Sequence, residues 1–142
     1  MNSCLVDVNV LLAMFAVCHK HHVAASHWRD GLRTGELGIC RSVQLSVIRL
    51  LATRRVMGEE TMSAADGWRM LNDVMGDGRV AWVEEGSEIG VILPTMWRYA
   101  QPTPQLVNDG YLAALALSTG RRLVTFDQGF REFPGLGVTV LG

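Results

Sequence analysis

Three aspartates stand in or beside apolar segments of the sequence, where an unpaired carboxylate would be costly. Asp7 interrupts LVDVNVLLA, Asp109 lies shortly before YLAALAL, and Asp127 follows LVTF. Because a carboxylate that loses its hydration needs a partner, three such residues favour a shared site. Hard oxygen ligands select Mg²⁺ or Mn²⁺, which can activate water and stabilise charge developing on a phosphoryl group. The predicted chemistry is therefore metal-dependent phosphoryl chemistry.

Each aspartate taken alone also has a structural interpretation. Asp is a common turn former and helix cap after a strand, and for Asp127 alone capping is the stronger interpretation. Asp109 falls about a turn and a half beyond Pro104 in a predicted helix. Spacing alone does not place Asp109 at the strand ends. The prediction of a shared site therefore rests on the occurrence of all three aspartates in apolar sequence and not on any one of them.

Competing chemistries find less support in the sequence. There is neither a GxSxG nucleophile motif nor a Walker A loop, and a phosphatase or receiver domain would need a DxD motif or an adjacent acid pair. The histidines have no zinc-motif spacing, and His22 and His27 share a helix face poorly. We therefore expect surface and packing roles for the four histidines: His19, His21, His22 and His27.

Composition limits the kind of protein this can be. The 142 residues fit one domain, predicted over 1–142, and 49% hydrophobic residues allow a sizeable core. The net charge of -1 means that any nucleic-acid contact must come from local arginines rather than from an overall basic surface. A solvated face or an ion pair is the alternative for each candidate, which are Arg41, Arg49, Arg121, Arg122 and Arg131.

Cysteine usage indicates a reduced setting, and hydropathy indicates a protein without a membrane span. The three cysteines are Cys4, Cys18 and Cys40, and their odd number and wide spacing argue against a disulfide framework. No run of about 18 uncharged apolar residues is present, and the apolar N-terminus lacks the basic start of a signal peptide. We expect a soluble, complete, cytoplasmic protein.

The elements that must position the aspartates alternate between short apolar runs and helical patterns. This order predicts a parallel sheet of about five strands with helices on both faces, and ligands of such sheets bind beyond the carboxyl ends of the strands. The predicted strands are Ser3–Asp7, Leu37–Cys40, Val80–Val83, Arg122–Phe126 and Gly137–Leu141. The predicted helices are Val10–Ala16, His22–Leu32, Val43–Leu51, Thr61–Met75, Ile89–Tyr99 and 104–118, the last capped by Thr103 and Gly120.

Two blocks of the sequence resemble PIN-domain toxins of the VapC type. LVDVNVLLA followed by HHVAASHW resembles their opening, and NDGYLAALALSTGRRLVTFDQGF resembles their C-terminal signature. The resemblance covers essentially the whole chain. It implies a three-layer α/β/α PIN fold and a Mg²⁺- or Mn²⁺-dependent endoribonuclease, held inactive by a cognate VapB-like antitoxin and usually homodimeric.

The resemblance also implies site residues. Asp7, Asp109 and Asp127 match the family's first, third and fourth acids, and Asn9 and Thr125 match polar positions that often line the site. The sequence departs from the pattern at the second acid, where Gln44 stands in place of a glutamate. Gln44 could ligate a metal or hold a water through its carbonyl oxygen, or serve only in packing, so we expect three formal negative charges and weaker metal binding.

This departure keeps a second function open. A PIN domain without the second acid could bind RNA or an antitoxin without efficient cleavage. The segment Met62–Met75, which carries Trp68, could be a dimer or antitoxin surface, although a core helix is at least as consistent with its pattern.

Overall fold

Parallel strands form a single central sheet in the computed structural model, which describes residues 3–98 and 103–142. The strand order is β3-β2-β1-β4-β5, and every neighbouring pair is parallel. Leu5 pairs with Gly38 on one side and with Leu123 on the other, so β1 lies at the centre. The strands are β1 (Cys4–Val6), β2 (Leu37–Ile39), β3 (Val80–Trp82), β4 (Arg122–Thr125) and β5 (Val138–Val140).

The strand order creates a crevice between β1 and β4. After β1 the chain moves outward to β2 and β3, whereas after β4 it moves the other way to β5. Connections that leave two neighbouring strands in opposite directions open a crevice at their carboxyl ends. Asp7 follows β1 and Asp127 follows shortly after β4, so both stand beside this crevice.

Helices cover both faces of the sheet. Right-handed crossovers place the helices that follow β1 and β2 on one face and those between β3 and β4 on the other. Accordingly α1 packs on α2 and α3, α3 packs on α5, and α6 packs on α7. The predicted three-layer α/β/α architecture is confirmed. The helices are α1 (Val8–Phe15), α2 (His22–Asp30), α3 (Arg41–Leu51), α4 (Arg54–Met57), α5 (Ala64–Val74), α6 (Ile89–Met96) and α7 (Pro104–Thr119), with 3₁₀ turns at Gly58–Glu60 and Gln128–Glu132.

Side-chain caps explain where the predicted boundaries were wrong. The first helix begins at Val8 rather than Val10, because the Asp7 carboxylate accepts a hydrogen bond from the Val8 amide. The fifth begins at Ala64 rather than Thr61, because Ser63 accepts from the amide of Asp66. Apolar periodicity alone does not locate such ends.

Other boundaries moved by one or two residues, and short elements were missed. Helix α3 begins at Arg41 rather than Val43, and α2 ends at Asp30 rather than Leu32. Helix α4 and both 3₁₀ turns were not predicted, since three to five residues are too few to show a period. The predicted end of α6, Tyr99, lies outside the described residues.

The C-terminal helix follows its sequence signals. Thr103 accepts a hydrogen bond from the Leu106 amide, and Gly120 ends α7 in the left-handed region with φ of 68°. The next residues then turn into β4, so α7 runs antiparallel to the strands and its N-terminus lies at their carboxyl ends. Within the described residues, no helix is both long enough and apolar enough to cross a membrane.

We predict that Gly38→Ala destabilises the fold by about 1–3 kcal/mol or more, because it overpacks the sheet centre. A Cβ there would collide with the carbonyl oxygen of Cys4 and lie 2.8 Å from Cγ2 of Val83. Urea unfolding measures the loss. The control is Gly78→Ala, whose Cβ meets nothing within 4 Å. Equal stability of the two variants would contradict the prediction.

Candidate active site

Asp7, Asp109 and Asp127 line one cavity of about 260 Å³ at the carboxyl edge of the sheet. Asp7 comes from the end of β1, Asp109 from the second turn of α7, and Asp127 from the segment after β4. Asp109 reaches this edge because α7 enters it with its N-terminus. The structure thus brings together three residues that are 102 and 18 positions apart in sequence.

A chain of hydrogen bonds fixes the Asp7 carboxylate. One oxygen, Oδ1, accepts from the Val8 amide at 2.7 Å, and the other, Oδ2, accepts from the Thr125 hydroxyl at 2.8 Å. The Thr125 oxygen in turn accepts from the Asp127 amide at 2.9 Å. Thr125 is fully buried and Asp7 is only 9% exposed, so the network holds one orientation of the carboxylate.

Asp127 serves as a cap and also lines the cavity. Its Oδ1 accepts a hydrogen bond from the Gly129 amide at 2.8 Å and opens the 3₁₀ turn Gln128–Glu132. The capping interpretation of this residue is therefore correct. Asp127 also lines the cavity, as does Asp7, which caps α1, so capping does not remove either residue from the candidate site.

Burial and mutual repulsion raise the pKa values of two of the carboxyl groups. The pKa of Asp7 is raised chiefly by burial and further by the charge of Asp127, against the hydrogen bonds from Thr125 and Val8. The pKa of Asp109 is raised to about 6, again chiefly by burial. The Gln105 amide, 3.1 Å from Oδ1 of Asp109, opposes that rise, and the charges of Asp7 and Asp127 add to it.

The donor set fits a hard divalent cation by its chemistry. A positive charge among the three carboxylates would offset the repulsion that raises the pKa values of Asp7 and Asp109, and oxygen donors suit Mg²⁺ or Mn²⁺. Among residues 3–98 and 103–142, no three His, Cys, Asp or Glu side chains are already arranged to hold a metal ion. The fit rests on donor type and shared charge, and not on a preformed coordination sphere.

The three polar candidates have different environments. Asn9, in the first turn of α1, is exposed and lines the cavity. Thr125 orients Asp7 from below. Gln44 is only 3% exposed, and its Oε1 accepts a hydrogen bond from Arg41 Nη1 at 2.5 Å. Gln44 is not among the described residues that line the cavity, which favours the hydrogen-bonding role over metal ligation.

The candidate arginines separate into two ends of the sheet. Arg49 of α3 is exposed and lines the cavity, and Arg131 lies in the turn after Asp127. Arg121 donates to the Cys4 carbonyl at 3.1 Å, and Arg122 donates to the Val138 carbonyl at 2.6 Å. Both lie at the amino ends of the strands, away from the carboxylates.

The histidine segment packs rather than joining the cavity wall. The His21 ring stacks on Phe126 with centroids 4.3 Å apart, and His19 lies beside both rings. Nδ1 of His22 lies 2.7 Å from the Ala13 carbonyl oxygen and ties α2 to α1. Cys4 and Cys40 are buried free cysteines.

Several cavity residues were missed in the sequence. Gln105 and Asn108 of α7 lie beside Asp109, and Ser46 of α3 forms the opposite wall. The Gln105–Asp109 pair has i,i+4 spacing, a helical signal that would have found it. Gly110 is buried against Trp97, the residue that follows α6. A Cβ at this position would lie only 2.6 Å from the indole nitrogen of Trp97, so a glycine here lets the end of α6 pack beside Asp109.

Comparison with known sequences finds similarity along nearly the whole chain. A family model described as PIN domain matches residues 4–136. Ribonuclease VapC41 of Mycobacterium tuberculosis is 33% identical over 145 aligned positions, which cover 96% of this chain and 97% of the relative. Ribonuclease VapC29 of the same organism is 32% identical, with coverage of 92% and 90%.

Solved structures share the fold at lower identity. VapBC2 from Rickettsia felis, bound to a promoter DNA fragment, superposes with a TM-score of 0.68 at 13% identity, covering 97% of this chain and 98% of the other. VapC20 of Mycobacterium tuberculosis, a toxin that cleaves the sarcin–ricin loop, gives 0.64 at 17% identity, with coverage of 91% and 93%. At such identities the likeness shows the fold alone.

We predict that Asp109→Asn stabilises the metal-free protein, and that it does so more at about pH 7.5 than at about pH 4.5. With a pKa of about 6, Asp109 binds its proton more tightly in the folded than in the unfolded chain. The loss of stability caused by ionised Asp109 is therefore absent below the unfolded-state pKa of about 4. It grows as pH rises and is complete above about 6. Melting temperatures in EDTA at the two pH values test this. A difference between variant and parent that does not depend on pH would contradict it.

Proposed function

Because this chain belongs to the PIN-domain family, as its sequence resemblance predicted, we propose that it is a metal-dependent endoribonuclease acting as the toxin of a toxin–antitoxin pair. The single observation that carries the proposal is the meeting of three carboxylates from β1, α7 and the segment after β4 around one cavity. The ribonuclease names of relatives at 33% and 32% identity support RNA as the substrate.

Asp7, Asp109 and Asp127 are the residues that would hold Mg²⁺ or Mn²⁺. Asp7 and Asp109 are the principal ligands in this proposal, and Asp127 completes the acidic cluster directly or through water. When bound, the cation supplies charge neutralisation, lowers the pKa of the attacking water and offsets charge on the leaving oxygen.

The protein's own residues orient this chemistry. Thr125 holds Asp7 in one orientation, which preorganises the carboxylate before substrate arrives. Gln105 holds Asp109 in the same way from the preceding turn of α7. Arg49, exposed at the cavity wall, supplies positive charge toward an RNA phosphate that would otherwise face only carboxylates.

Because Gln44 stands in place of an acid, the site has three formal negative charges instead of four. Its carbonyl oxygen is engaged by Arg41, so the residue brings neither a negative charge nor a free ligand to the cavity. We infer weaker metal affinity than a four-acid site would have.

The partners of the proposed toxin are an RNA substrate, a cognate VapB-like antitoxin and a second copy of the chain, in the cytoplasm. Met62–Met75 remains a candidate for one of the two protein interfaces, since Trp68 is 42% exposed. A short neighbouring reading frame that encodes a DNA-binding antitoxin would support the toxin role.

The alternative is a PIN domain that binds RNA or antitoxin without efficient cleavage. The observation in its favour is that Gln44, which stands at the position of the family's second acid, accepts a hydrogen bond from Arg41. Purified protein incubated with RNA and Mn²⁺ separates the two functions: cleavage that EDTA abolishes supports the enzyme, and retention of intact RNA supports the binding module.

We predict that Asp7→Asn lowers metal-dependent RNA cleavage by at least about 100-fold, because it removes a ligand charge at the centre of the site. Cleavage of labelled RNA with Mn²⁺, corrected for the rate in EDTA, is the measurement. Asp73→Asn is the matched control, since Asp73 is exposed on α5 and lines a different cavity. If Asp7→Asn cleaved as fast as the control, the proposed mechanism would be wrong.

We also predict that the melting temperature of the parent protein rises as the Mn²⁺ concentration is increased. A cation that binds only the folded state stabilises it by mass action, and here it also relieves repulsion among the three carboxylates. Differential scanning fluorimetry with increasing Mn²⁺ measures the shift. Asp7→Asn should lose most of it and Asp73→Asn none. An unchanged shift in Asp7→Asn would place the metal elsewhere.

A further inference from the structure

An arginine lies between two tryptophans near the carboxylate cavity. The Arg41 guanidinium carbon is 4.7 Å from the ring centroid of Trp82 and 5.6 Å from that of Trp68. These distances are within the range of cation–π contacts. Arg41 is exposed and Trp68 is 42% exposed, so the group forms a surface, which we call the Arg–Trp platform (Arg41, Trp68 and Trp82).

The positive charge of the platform is not neutralised by the protein. In the parts of the chain that the structure describes, no ion pair involves Arg41. Its hydrogen bond from Nη1 goes to the neutral amide of Gln44, which leaves the other guanidinium nitrogens open. A partly free guanidinium stacked on aromatic rings can bind an anion at its edge.

The two rings have different freedom. Trp82 ends β3 and is half-buried, and its indole nitrogen donates to Glu84 at 3.2 Å, so it is the fixed side of the platform. Trp68 projects from α5 and is not part of the hydrophobic core. Its exposed surface is available for another flat ring.

The platform lies at the same edge of the sheet as the cavity that the aspartates line, and it shares helix α3 with that cavity. Arg41 is the first residue of α3, and Ser46 and Arg49 farther along the same helix form the cavity wall. Trp82 ends β3 at the carboxyl edge of the sheet, the edge that also carries Asp7. On the other side, Tyr111 of α7, two residues beyond Asp109, donates to Glu85, which follows β3. Elements that carry the platform are therefore in contact with those that carry the site.

We propose that the Arg–Trp platform binds the single-stranded RNA next to the scissile phosphate, with Arg41 on a phosphate and the Trp68 ring under a base. The inference rests on the proposed function and deepens it by locating where the strand leaves the cavity. Stacking on tryptophan together with a cation is the combination that holds single strands without reading their sequence. It also provides a local basic contact on a chain whose net charge is -1.

The test measures RNA binding without cleavage. A fluorescent, mixed-sequence single-stranded RNA of about 12 nucleotides, within the site sizes of single-strand binders, is titrated in EDTA by anisotropy at several salt concentrations. The variants are Arg41→Ala, Arg41→Lys, Trp68→Leu and Trp68→Phe. Arg33→Ala is the control, because Arg33 is an exposed arginine just before β2, at the opposite end of the sheet. Melting curves confirm that each variant is folded.

The expected results differ between charge and stacking. Arg41→Ala weakens binding about tenfold and lowers the slope of log affinity against log salt by about 0.7, the value for one phosphate contact on a single strand. Arg41→Lys restores the slope. Trp68→Leu also weakens binding about tenfold but leaves the slope unchanged, because a stacked base carries no counterion, and Trp68→Phe recovers part of the loss. Arg33→Ala binds as the parent does.

Two results would overturn the inference. Affinities of Arg41→Ala and Trp68→Leu equal to that of Arg33→Ala would show that the strand does not use the platform, as would a parent protein that binds no RNA. A platform that docks a partner protein instead would give the first of these results. Failure of the proposed function is separate: a parent that binds RNA through the platform but cleaves none with Mn²⁺ would refute the nuclease and leave the platform standing.

Discussion

The Asp7 carboxylate is held at the end of the central strand, where it has lost most of its water. Its cost is offset by hydrogen bonds from the Val8 amide and the Thr125 hydroxyl, which come from the start of α1 and the end of β4. The Asp7 amide also donates to the Val124 carbonyl at 2.9 Å, which continues the β1–β4 ladder by one residue. The contact that orients the carboxylate is thus part of the sheet itself, so the site is only as well ordered as the pairing of β1 with β4.

The rest of the architecture determines which charges face that carboxylate. Strand β4 and the antiparallel helix α7 deliver Asp127 and Asp109 to the same cavity. The charge of Asp127 there raises the pKa values of Asp7 and Asp109. Such an arrangement costs stability, and a cation bound only by the folded state would offset that cost. The raised pKa values of Asp7 and Asp109 are the physical sign of this burial and repulsion.

Helix α3 joins the carboxylate site to the surface beside it. Its first residue, Arg41, engages Gln44 and two tryptophans, and its third turn presents Arg49 to the cavity. The position at which the family commonly has a second acid is therefore part of an arginine network here. The side chain at this position is therefore neutral, and its hydrogen-bond partner is the positively charged Arg41.

Much of the fold and site could be predicted because the signals are local. Apolar runs with alternating helices indicated a parallel sheet, and Thr103, Pro104 and Gly120 marked the bounds of α7 through capping and a left-handed turn. The starts of α1 and α5 could not be found from periodicity, because a single capping hydrogen bond decides them. The Arg–Trp platform was equally hidden, since its members belong to α3, α5 and β3 and meet only through packing.

By itself the sequence indicated the fold class through its alternating elements and the family through its resemblance. It also singled out the three aspartates as candidates, since a carboxylate in an apolar segment is costly wherever the chain folds. Only the tertiary structure decided that Asp109 reaches the strand ends, because the direction of α7 follows from its connection to β4. It also decided that Gln44 faces Arg41 instead of the cavity, and that Arg121 and Arg122 lie at the opposite edge. Direction and facing depend on strand order and helix packing, which no local spacing encodes.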